Sequence, residues 1–399
     1  MKKRIISLIT VLALLLGSVC VCASADKGQE TRLRYNDDGK FTIMQISDLQ
    51  DFLVMRPATK ILLMEAVKRC PCDLIVLTGD NISSSSYTIG SAWLAIWQVM
   101  SVLEKNGTPV AITFGNHDDE NTLATKKLQL RMYEQYDCFI GRAGEDLGST
   151  NLCTYELPIY GSGDSNEIKN LVWMVDSGTY NTENDLGGYA ATTKAQVDWY
   201  VRTSEKYESD CGGKVPGLMF QHIVVPEIWD ALVPGSPSDG GGVWHNGSYL
   251  VLPEGAKGVL GEGPCPPNYT NGQFDAVAER GDVVAMFFGH DHTNTFEIPG
   301  YRGVDLVNTP GAGFRSYNSI DVGVRMIYLD ESDPWSYETE VVSYFDLFDR
   351  NDPVARYLYE FDSSTTDESE HDAVLAKLVV ATVEKLLVRH VMSVISKPC

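Results

Sequence analysis

The sequence has few basic residues for its length. Its 399 residues contain 32 Lys and Arg against 54 Asp and Glu, which gives a formal net charge of −22 at pH 7. A chain with this excess of negative charge repels polyanions, so binding to nucleic acid or to an anionic membrane surface is not expected. An anionic ligand would need cations placed locally to offset the field.

Several short motifs of known chemistry are also absent. The sequence has no Gly-x-Ser-x-Gly turn for a serine nucleophile, no P-loop and no glycine fingerprint for a dinucleotide. Covalent serine chemistry and kinase-type chemistry therefore have no support. Cys70-Pro71-Cys72 has no second cysteine pair to complete a zinc knuckle. No internal repeat is visible, and no segment after the first 25 residues is long and apolar enough to span a membrane.

The N-terminus predicts a secretory signal peptide over residues 1–25. Three basic residues at positions 2–4 precede an apolar run over Ile5–Cys22, and Ala23-Ser24-Ala25 supplies small residues for cleavage before Asp26. The alternative is an uncleaved membrane anchor, although the run is short for a span of about 20 residues. We therefore expect the mature chain to be secreted or to stay in the lumen of the secretory pathway, or in the periplasm of a bacterium.

Seven cysteines follow the predicted signal peptide. In a secreted protein some of them are expected to form disulfides, and the odd number leaves one over. The sequence does not give their connectivity. Four Asn-x-Ser/Thr sequons would be glycosylation sites in a host that glycosylates; they start at Asn81, Asn106, Asn246 and Asn268.

The rest of the chain alternates short apolar runs with amphipathic segments, which predicts an α/β fold. Runs rich in branched residues predict buried strands at Phe41–Ile46, Leu74–Thr78, Val110–Phe114, Leu171–Val175, Gly217–Phe220 and Val283–Phe288. Apolar residues at helical spacing predict helices at Thr59–Arg69, Ser91–Lys105, Thr122–Tyr136 and Thr192–Tyr207. Later strands are predicted at Val304–Val307, Val322–Leu329 and Glu338–Tyr344.

Two segments do not follow this alternation. Residues 233–271 are rich in Gly, Pro and Ser, and they predict a long loop excursion with little regular structure that shapes the rim of a pocket. An acidic break over residues 362–372 precedes Ala373–Ile395, where apolar residues recur at helical spacing. A terminal helix packed on the body is expected there, and a helix that binds a partner or a membrane surface is the alternative.

Five motifs occur where predicted strands end: ISDLQD (46–51), LTGDN (77–81), FGNHDDE (114–120), FQH (220–222) and FFGHDH (287–292). Ligands of open α/β sheets gather outside the carboxyl ends of the strands, so these motifs can meet along one edge. Their carboxylate, amide and imidazole groups suit Zn, Fe and Mn. Seven such donors are too many for one tetrahedral ion but suit two ions that share a bridging ligand. The seven candidate donors are Asp48, Gln50, Asp80, Asn116, His222, His290 and His292.

In this order the motifs resemble the signature of the calcineurin-like metallophosphoesterase superfamily, which reads D-x-H, G-D-x, G-N-H-[DE], a lone His and G-H-x-H. The phrases FGNHDDE, VDSG (175–178), GHDHTNTF (289–296) and GAGFRSY (311–317) are similar to its purple-acid-phosphatase-related branch of yeast and plant proteins. The resemblance covers residues 40 to about 330. It implies a four-layer sandwich of two mixed β-sheets flanked by helices, with a catalytic domain over residues 40–346 and a C-terminal extension over residues 347–399.

Carried over residue by residue, the resemblance implies one ion held by Asp48, Gln50, Asp80 and His292. A second ion would be held by Asp80, Asn116, His222 and His290, which makes Asp80 the bridging carboxylate. His117 would stabilise the phosphoryl group and protonate the leaving oxygen, and Asp118 would orient His117. The cofactors would be two divalent or trivalent metal ions, namely Fe, Zn or Mn.

Two positions depart from the family pattern. Gln50 stands where the family has a histidine, and an amide oxygen is a harder and weaker donor than imidazole. The first metal site could therefore hold its ion loosely, prefer Mn or stay empty, or Gln50 could take no part in coordination. Ser83 occupies the position of the tyrosinate ligand of true purple acid phosphatases, so no iron–tyrosinate colour is expected.

The resemblance implies a phosphatase in which a metal-bound hydroxide attacks the phosphorus of a phosphate monoester. A phosphodiesterase of the same fold is the alternative within enzymes. A binding protein whose first metal site is impaired by Gln50 is the alternative from another class. A phosphate ester is the expected partner, and the sequence does not identify a protein partner.

Each candidate residue also has a purely structural explanation. Asp48 and Asp80 could cap the turns that follow their strands, a common use of aspartate. His245 and Arg315 could reach a substrate, but a solvated loop histidine and a structural arginine are the expected roles. The two remaining histidines are expected to be structural or exposed; they are His371 and His390.

Overall fold

The computed structural model of the protein describes residues 32–84, 88–120, 123–148, 152–318 and 321–363. Its strands are β1 (Leu33–Arg34), β2 (Lys40–Ile46), β3 (Leu74–Thr78), β4 (Val110–Thr113), β5 (Tyr155–Tyr160), β6 (Ile168–Val175), β7 (Gly217–Gln221), β8 (Val233–Pro234), β9 (Gly242–His245), β10 (Ser248–Val251), β11 (Val283–Phe288), β12 (Glu297–Tyr301), β13 (Val304–Asn308), β14 (Gly323–Asp330) and β15 (Glu338–Ser343). Its helices are α1 (Pro57–Arg69), α2 (Ile89–Leu103), α3 (Asn116–Asp119), α4 (Lys126–Tyr133), α5 (Lys194–Cys211), α6 (Ile228–Ala231), α7 (Gln273–Arg280), α8 (Tyr344–Leu347) and α9 (Pro353–Ser363). Short 3-10 turns lie at Glu104–Asn106 and Pro237–Asp239.

Most of the strands form two mixed sheets. The larger sheet has seven strands in the order β1-β5-β6-β7-β11-β13-β12, and the second has five in the order β15-β14-β2-β3-β4. Strands β6, β7, β11 and β13 are parallel neighbours in the first sheet, and β2, β3 and β4 are parallel in the second. The predicted α/β fold with two mixed sheets and flanking helices is thereby confirmed. The loops that follow the parallel strands of each sheet emerge at the same end of that sheet.

Alternating residues of the central strands supply two apolar cores. Phe220 and Phe287 stack with ring centroids 5.0 Å apart and pack with Ile75 in the core that contains residues of both sheets. Met219 and Met286 point to the opposite face and pack in a second core that contains residues of α5 and α7. Because the side chains of a strand alternate between faces, strands covered on both sides are apolar throughout, as the sequence runs indicated.

Two of the longer helices begin at capping boxes. Thr88 accepts a hydrogen bond from the backbone N–H of Ser91 at the start of α2, and Thr193 accepts one from Gln196 at the start of α5. The helix predicted over residues 122–136 is shorter than expected, since α4 starts only at Lys126. The polar FGNHDDE motif instead forms the separate four-residue helix α3.

The N-terminus of α1 is capped by a residue from the far end of the described chain. The backbone N–H of Ala58 donates to the Asp362 carboxylate at 2.6 Å, and Arg56 Nη1 donates to the Asp362 backbone oxygen at 2.6 Å. A carboxylate at this position also complements the positive end of the helix dipole. Asp362 lies in α9 and is buried, so α9 is part of the folded body. Ala373–Ile395 of the predicted extension lies outside the described residues.

Residues 233–271 contain more regular structure than we predicted. Strands β8, β9 and β10 form a three-stranded antiparallel sheet in the order β8-β10-β9. Asn246 and Gly247 join β9 to β10 with φ angles of 47° and 80°, the left-handed geometry of a type I′ hairpin. The prediction of an irregular loop was wrong for Val233–Val251 because strands of two to four residues are too short to show a period.

Six of the cysteines after residue 31 lie in the described residues, and all six are free thiols. The expected disulfides are therefore not found among them; Cys399 lies outside the described residues. Cys138 and Cys153 are buried in the core that contains residues of both sheets, where a thiol behaves as a small apolar side chain. Burial rather than pairing accounts for these two positions.

The four sequons differ in exposure. Asn81 is 2% exposed, and its side-chain amide donates to the backbone oxygen of Thr113 at 3.1 Å. A glycan at Asn81 would not fit the folded chain. Asn106, Asn246 and Asn268 are exposed, and their modification stays a prediction.

The predicted signal peptide lies outside the described residues, which begin at Arg32. Within the described ranges, none of the helices combines the length and the apolar character that crossing a membrane requires.

Candidate metal centre

The loops that follow five parallel strands carry the residues predicted to bind metal. Asp48 follows β2, Asp80 follows β3, and Asn116 opens α3 just after β4. His222 follows β7 and His290 follows β11, in the other sheet. The five motifs thus stand at the carboxyl ends of their strands, as the sequence predicted.

Hydrogen bonds tie these loops to one another and join the two sheets. The backbone N–H of Asp48 donates to Gly79 O at 3.1 Å, and that of Gly289 donates to His222 O at 3.0 Å. Between the sheets, the backbone N–H of His290 donates to Asp48 Oδ2 at 2.9 Å. The motifs therefore form one connected rim rather than five separate turns.

Four of the predicted ligands have a left-handed backbone that non-glycine residues seldom adopt. The φ angles are 54° at Asp48, 45° at Gln50, 50° at Asp80 and 70° at His290. Such conformations cost of order 1–3 kcal/mol each and cluster at functional sites. The surrounding structure holds them there, which turns the side chains of neighbouring loops towards one point.

The side chains form a tight buried cluster. His222 Nε2 lies 3.2 Å from Asp80 Oδ2 and 3.9 Å from Asp48 Oδ1. His292 Nε2 lies 3.2 Å from Asp48 Oδ1, and His290 Nδ1 lies 3.3 Å from His222 Nε2. One ligand atom each from Asp80, His222 and His290 falls within 4.8 Å of the others. These are the separations expected of side chains that share metal ions.

Two of the imidazoles are oriented by backbone carbonyls. His222 Nδ1 is 3.0 Å from Thr78 O, and His292 Nδ1 is 2.8 Å from Tyr317 O. A carbonyl can only accept, so each Nδ1 carries a hydrogen and Nε2 is the nitrogen that faces the cluster. Metal-binding histidines are commonly held in this way.

Buried oxygens without hydrogen-bond donors indicate that the cluster suits cations. Within the part of the chain that the structure describes, Asn116 Oδ1 and Asp48 Oδ1 are buried and accept no hydrogen bond. An unsatisfied buried acceptor costs about 1–3 kcal/mol, which a bound metal ion would remove. The chain also needs glycine at position 115 for these ligands to fit, because a Cβ there would collide with the Asp80 carboxylate and lie 2.8 Å from His222 Cδ2.

Gln50 lies within the cluster but presents its amide nitrogen. Its Nε2 is 3.1 Å from Asp80 Oδ2 and 3.1 Å from His292 Nε2. In this orientation Gln50 donates a hydrogen bond to Asp80 and places its amide nitrogen beside the ring nitrogen of His292. A half-turn of the amide would present Oε1 to the same place.

The charges of the cluster shift the pKa values of its members. Although burial opposes ionisation, His222 and His292 lower the pKa of Asp48, and His222 holds that of Asp80 well below its usual range. Although burial acts the other way, Asp80 and Asp48 raise the pKa of His222 to about 10, and Asp48 raises that of His292 to about 9. Burial and the His222 charge lower the pKa of His290 to about 3. Protons thus occupy places that metal ions would take.

His117 stands at the edge of the cluster, with 32% of its side chain exposed. Its backbone N–H donates to Asp80 Oδ1 at 2.8 Å, and its Nε2 lies 3.8 Å from Asp80 Oδ2. Its Nδ1 lies 2.8 Å from Glu120 Oε2. Burial lowers the pKa of His117, but Asp80 and Glu120 together raise it above its ordinary value. The imidazole is accessible and lies beside the predicted bridging carboxylate.

Asp118 does not have the orienting role that we predicted. Its carboxylate accepts hydrogen bonds from the backbone N–H groups of Gly115 (2.9 Å), Asn81 (3.3 Å) and Ile82 (3.2 Å). It therefore caps α3 and ties the loop after β3 to the loop after β4. Burial and the nearby Asp80 raise the pKa of Asp118. Among the described residues Glu120 is the carboxylate at hydrogen-bonding distance from the His117 ring.

The VDSG phrase forms a buried support behind the cluster. Lys126 Nζ lies 3.0 Å from both carboxylate oxygens of Asp176, and both residues are almost fully buried. Next to this ion pair, Ser177 Oγ accepts a hydrogen bond from the N–H of Ile223 at 3.0 Å. That contact fixes the chain beside His222.

Tyr317 covers one side of the cluster, and sequence reasoning missed it. Its ring is nearly parallel to that of His292, with centroids 4.3 Å apart. Its hydroxyl donates to Glu262 Oε2 at 2.8 Å, and Glu262 also accepts from the N–H of Thr293 at 2.8 Å. Glu262 belongs to the excursion over residues 233–271, so part of that segment lies at the rim of the site.

Two further tyrosines cover the opposite side. Tyr189 meets His290 edge-on with ring centroids 4.5 Å apart, and Tyr180 stacks on Tyr189 at 5.6 Å. The Tyr180 hydroxyl donates to Glu120 Oε1 at 2.6 Å. No spacing in the sequence indicated these contacts, although Glu120 is part of the FGNHDDE motif.

Other residues singled out by the sequence have surroundings that suit structural roles. The Arg315 guanidinium is buried 5.4 Å over the ring of Phe52, which fits a structural role. His245 stacks on Trp229 with centroids 3.6 Å apart. Ser83 is buried at the position of the tyrosinate ligand. His371 and His390 lie outside the described residues.

Proteins of related sequence cover most of the chain. A protein of Arabidopsis thaliana named "Probable inactive purple acid phosphatase 29" is 26% identical over 333 residues, and the match covers 76% of this chain and 80% of that protein. "Phosphatase DCR2" of Saccharomyces cerevisiae is 23% identical over 286 residues, which cover 66% of this chain and 46% of that protein. The purple-acid-phosphatase-related resemblance of the motifs is thereby confirmed.

Solved structures are similar at lower identity. The crystal structure of a dimetal phosphatase from Danio rerio is 14% identical with a TM-score of 0.46, and the match covers 76% of this chain and 99% of that one. The Plasmodium protein GAP50, described as the anchor in the inner membrane complex, is 10% identical with a TM-score of 0.43, covering 76% of this chain and 84% of that one.

The family model for calcineurin-like phosphoesterases matches residues 41–294. That range contains all five strand-end motifs and more than half of the chain. The chain therefore belongs to the calcineurin-like phosphoesterase family.

Proposed function

We propose that the protein is a phosphatase that hydrolyses phosphate monoesters with two bound metal ions. The observation that carries this proposal is the buried cluster of imidazole and oxygen donors around one carboxylate. Asp80 Oδ2 lies 3.2 Å from His222 Nε2 and 3.1 Å from the Gln50 amide. A carboxylate in this position is the ligand that two neighbouring ions would share.

Two sets of residues would hold the ions. The first set is Asp48, Gln50, Asp80 and His292, and the second is Asp80, Asn116, His222 and His290. Mixed imidazole and carboxylate ligands suit Zn, Fe and Mn. When bound, such ions neutralise charge on the phosphoryl oxygens and make water acidic enough to attack near neutral pH.

His117 would serve the leaving group. Its Nδ1 is engaged with Glu120, so Nε2 is the nitrogen that faces the cluster. From that position Nε2 would donate a hydrogen bond to the phosphoryl group and then give its proton to the departing oxygen. General acid catalysis of this kind contributes about 10²–10⁴-fold to a rate.

A protein of the same fold that binds phosphate esters without turning them over is the second candidate. Gln50 favours it, because its amide nitrogen donates to Asp80 and lies 3.1 Å from His292 Nε2, in the place of a metal ion. The Arabidopsis relative also has "inactive" in its name. The two candidates differ in the number of metal ions that the purified protein binds.

Metal reconstitution tests the proposal. The protein is stripped with chelator, reloaded with Zn or Mn, and assayed on an aryl phosphate. We expect activity that appears with metal, disappears with chelator and falls in a His117→Ala variant. Activity that ignores chelation would contradict the mechanism, and one bound ion per chain without turnover would favour the binding protein.

The choice between ester classes needs a parallel assay. A monoester and a diester of the same phenol are compared at equal concentration on the reloaded protein. We expect the monoester to react faster, and a faster diester would make the protein a phosphodiesterase.

The N-terminus supports a location in the secretory pathway. Its basic residues, apolar run and small residues suit signal cleavage. N-terminal sequencing of the protein from its native source should begin at Asp26. An intact Met1 would contradict this.

A further inference from the structure

We propose that Glu120 and Tyr180 are positioning residues for the His117 imidazole. The inference rests on the proposed phosphatase function for its catalytic consequence, and on two contacts for its geometry. Glu120 Oε2 lies 2.8 Å from His117 Nδ1, and the Tyr180 hydroxyl donates to Glu120 Oε1 at 2.6 Å. Both oxygens of one carboxylate are thus engaged, one by the imidazole and one by the phenol.

This arrangement fixes the orientation of the His117 ring and places a hydrogen on Nδ1. A carboxylate accepts hydrogen bonds only, so the Nδ1 that it contacts is protonated. The ring plane then points Nε2 towards the cluster, where it lies 3.8 Å from Asp80 Oδ2. Without Glu120 the ring could turn about its Cβ–Cγ bond and present either nitrogen.

Tyr180 holds the carboxylate in turn. Its ring stacks on Tyr189 with centroids 5.6 Å apart and an interplanar angle of 21°. Tyr189 itself meets His290 edge-on at 4.5 Å. The contacts therefore run from a predicted metal ligand through two tyrosines and Glu120 to the imidazole.

The motif FGNHDDE contains three carboxylates, and the structure separates their roles. Asp118 is buried against backbone N–H groups. Asp119 Oδ2 lies 3.9 Å from Lys126 Nζ. Glu120 is three residues after His117, the spacing at which side chains meet on a helical turn, and its longer side chain reaches back to Nδ1.

The step served by this arrangement can be written atom by atom. The oxygen of a water molecule bonds to phosphorus and releases a proton to solvent, while the bond between phosphorus and the leaving oxygen breaks and its electron pair stays with that oxygen. The proton on His117 Nε2 moves to the same oxygen, which departs as an alcohol. The imidazole is left neutral with its hydrogen on Nδ1, the form that Glu120 accepts.

Kinetics on esters with different leaving groups test the catalytic part. The reloaded wild type is compared with Glu120→Ala, Glu120→Gln and Tyr180→Phe on an alkyl phosphate and on p-nitrophenyl phosphate. Asp119→Ala is the matched control, since the side chains of Asp119 and Glu120 are similarly exposed, at 27% and 23%.

We expect Glu120→Ala to lower kcat on the alkyl phosphate by about 10–100-fold, part of the range for a general acid. On p-nitrophenyl phosphate, whose leaving group needs little protonation, the loss should be under about threefold. Glu120→Gln keeps an acceptor and should recover most of the loss, and Tyr180→Phe should cost about threefold. Equal losses on both esters, or a similar loss in Asp119→Ala, would overturn the inference.

A measurement that does not depend on activity tests the geometric part. Histidine-selective ¹⁵N NMR of the metal-free and zinc-loaded protein shows which ring nitrogen of each histidine carries hydrogen, and His117→Ala assigns the signal. At a pH at which the ring is neutral, we expect His117 to carry its one hydrogen on Nδ1 in the wild type and in Tyr180→Phe, and to lose that preference in Glu120→Ala. An unchanged signal in Glu120→Ala would refute the inference even in an active enzyme. If the wild type hydrolyses no ester but the His117 signal still changes in Glu120→Ala, the proposed function is refuted and the positioning role is not.

Discussion

Gln50→His would place an imidazole at the metal-ligand position where this chain carries an amide. The backbone there has a φ of 45°, a left-handed conformation that histidine tolerates better than most residues. The side chain is 8% exposed and lies among Asp80 and His292. The substitution therefore changes the donor without asking the backbone to move.

The metal-free variant should be less stable than the wild type. Two amide contacts of 3.1 Å are lost, and each net hydrogen bond is worth about 0.5–1.5 kcal/mol. The expected cost is about 1–3 kcal/mol in free energy of unfolding. With an unfolding entropy of about 2.1 cal/mol/K per residue, a chain of 399 residues should lose about 1–4 °C in Tm.

Metal should affect the variant more than the wild type. A single supporting group around a metal site typically changes affinity 10–100-fold, and a full imidazole ligand in place of the Gln50 amide should give at least the upper value. A 100-fold gain is about 2.7 kcal/mol at equal free metal. The rise in Tm on adding zinc should then be larger in the variant by about 3 °C.

Calorimetric titration, elemental analysis and thermal unfolding of chelated and zinc-loaded protein measure these effects. Gln50→Asn is the control, because it tolerates the left-handed backbone but is too short to reach the same partners. It should show the loss of stability without the gain in affinity. Equal zinc affinity in the wild type and Gln50→His would refute the idea that Gln50 weakens the first site.

Three further predictions concern the cluster and its support. His117→Ala should lower kcat by about 10²–10⁴-fold and leave the metal content unchanged. A lower metal content would show that His117 is itself a metal ligand. In the metal-free protein the protonated rings of His222 and His292, whose pKa values are raised to about 10 and about 9, stabilise the fold. Their contribution to stability is complete below the ordinary histidine pKa of 6.5. That stability should be lost as the pH rises through 9 and 10, so urea midpoints that stay level from pH 6 to 10 would disprove the charge assignment. Lys126→Met or Asp176→Asn alone should lower the free energy of unfolding by about 3–5 kcal/mol, because each leaves a buried charge unpaired. The double variant should lose less than the sum of the two. Strictly additive losses in urea denaturation would show that the pair is not coupled.

The convergence of the motifs could be predicted from the sequence because it depends on strand ends. The strand predicted at Leu74–Thr78 has the observed bounds, and the one at Phe41–Ile46 starts one residue late. Once the parallel strands are placed, their carboxyl ends must share an edge. Asp48 and Asp80 then come together without any knowledge of the turns between them, whereas His290 reaches them from the other sheet, whose packing the strand positions alone do not give.

The partner of His117 could not be predicted in the same way. Three successive carboxylates follow His117, and the direction of each depends on the short helix α3, which has no period of its own. Asp118 turns back to cap that helix, so Glu120 takes the position beside the ring. The tyrosines around the site were missed for a related reason, since Tyr180 and Tyr317 come from loops whose course only the folded chain fixes.

Short elements account for the rest of the differences. The hairpin of β9 and β10 carries a recognisable turn in Asn246-Gly247, and that signal could have been used. The two-residue strands β1 and β8 offer no such signal, because a period of two cannot be read from two positions.

The carboxylate of Asp362 sets the shortest C-terminal boundary for a recombinant fragment of this protein. The family match ends at residue 294, yet an expressed fragment ending there would lack β14, which lies between β2 and β15. A fragment ending just before Asp362 would leave the Ala58 amide without its acceptor at the head of α1, a few residues after Gln50. Recombinant versions meant for metal titration should therefore extend at least through Ser363.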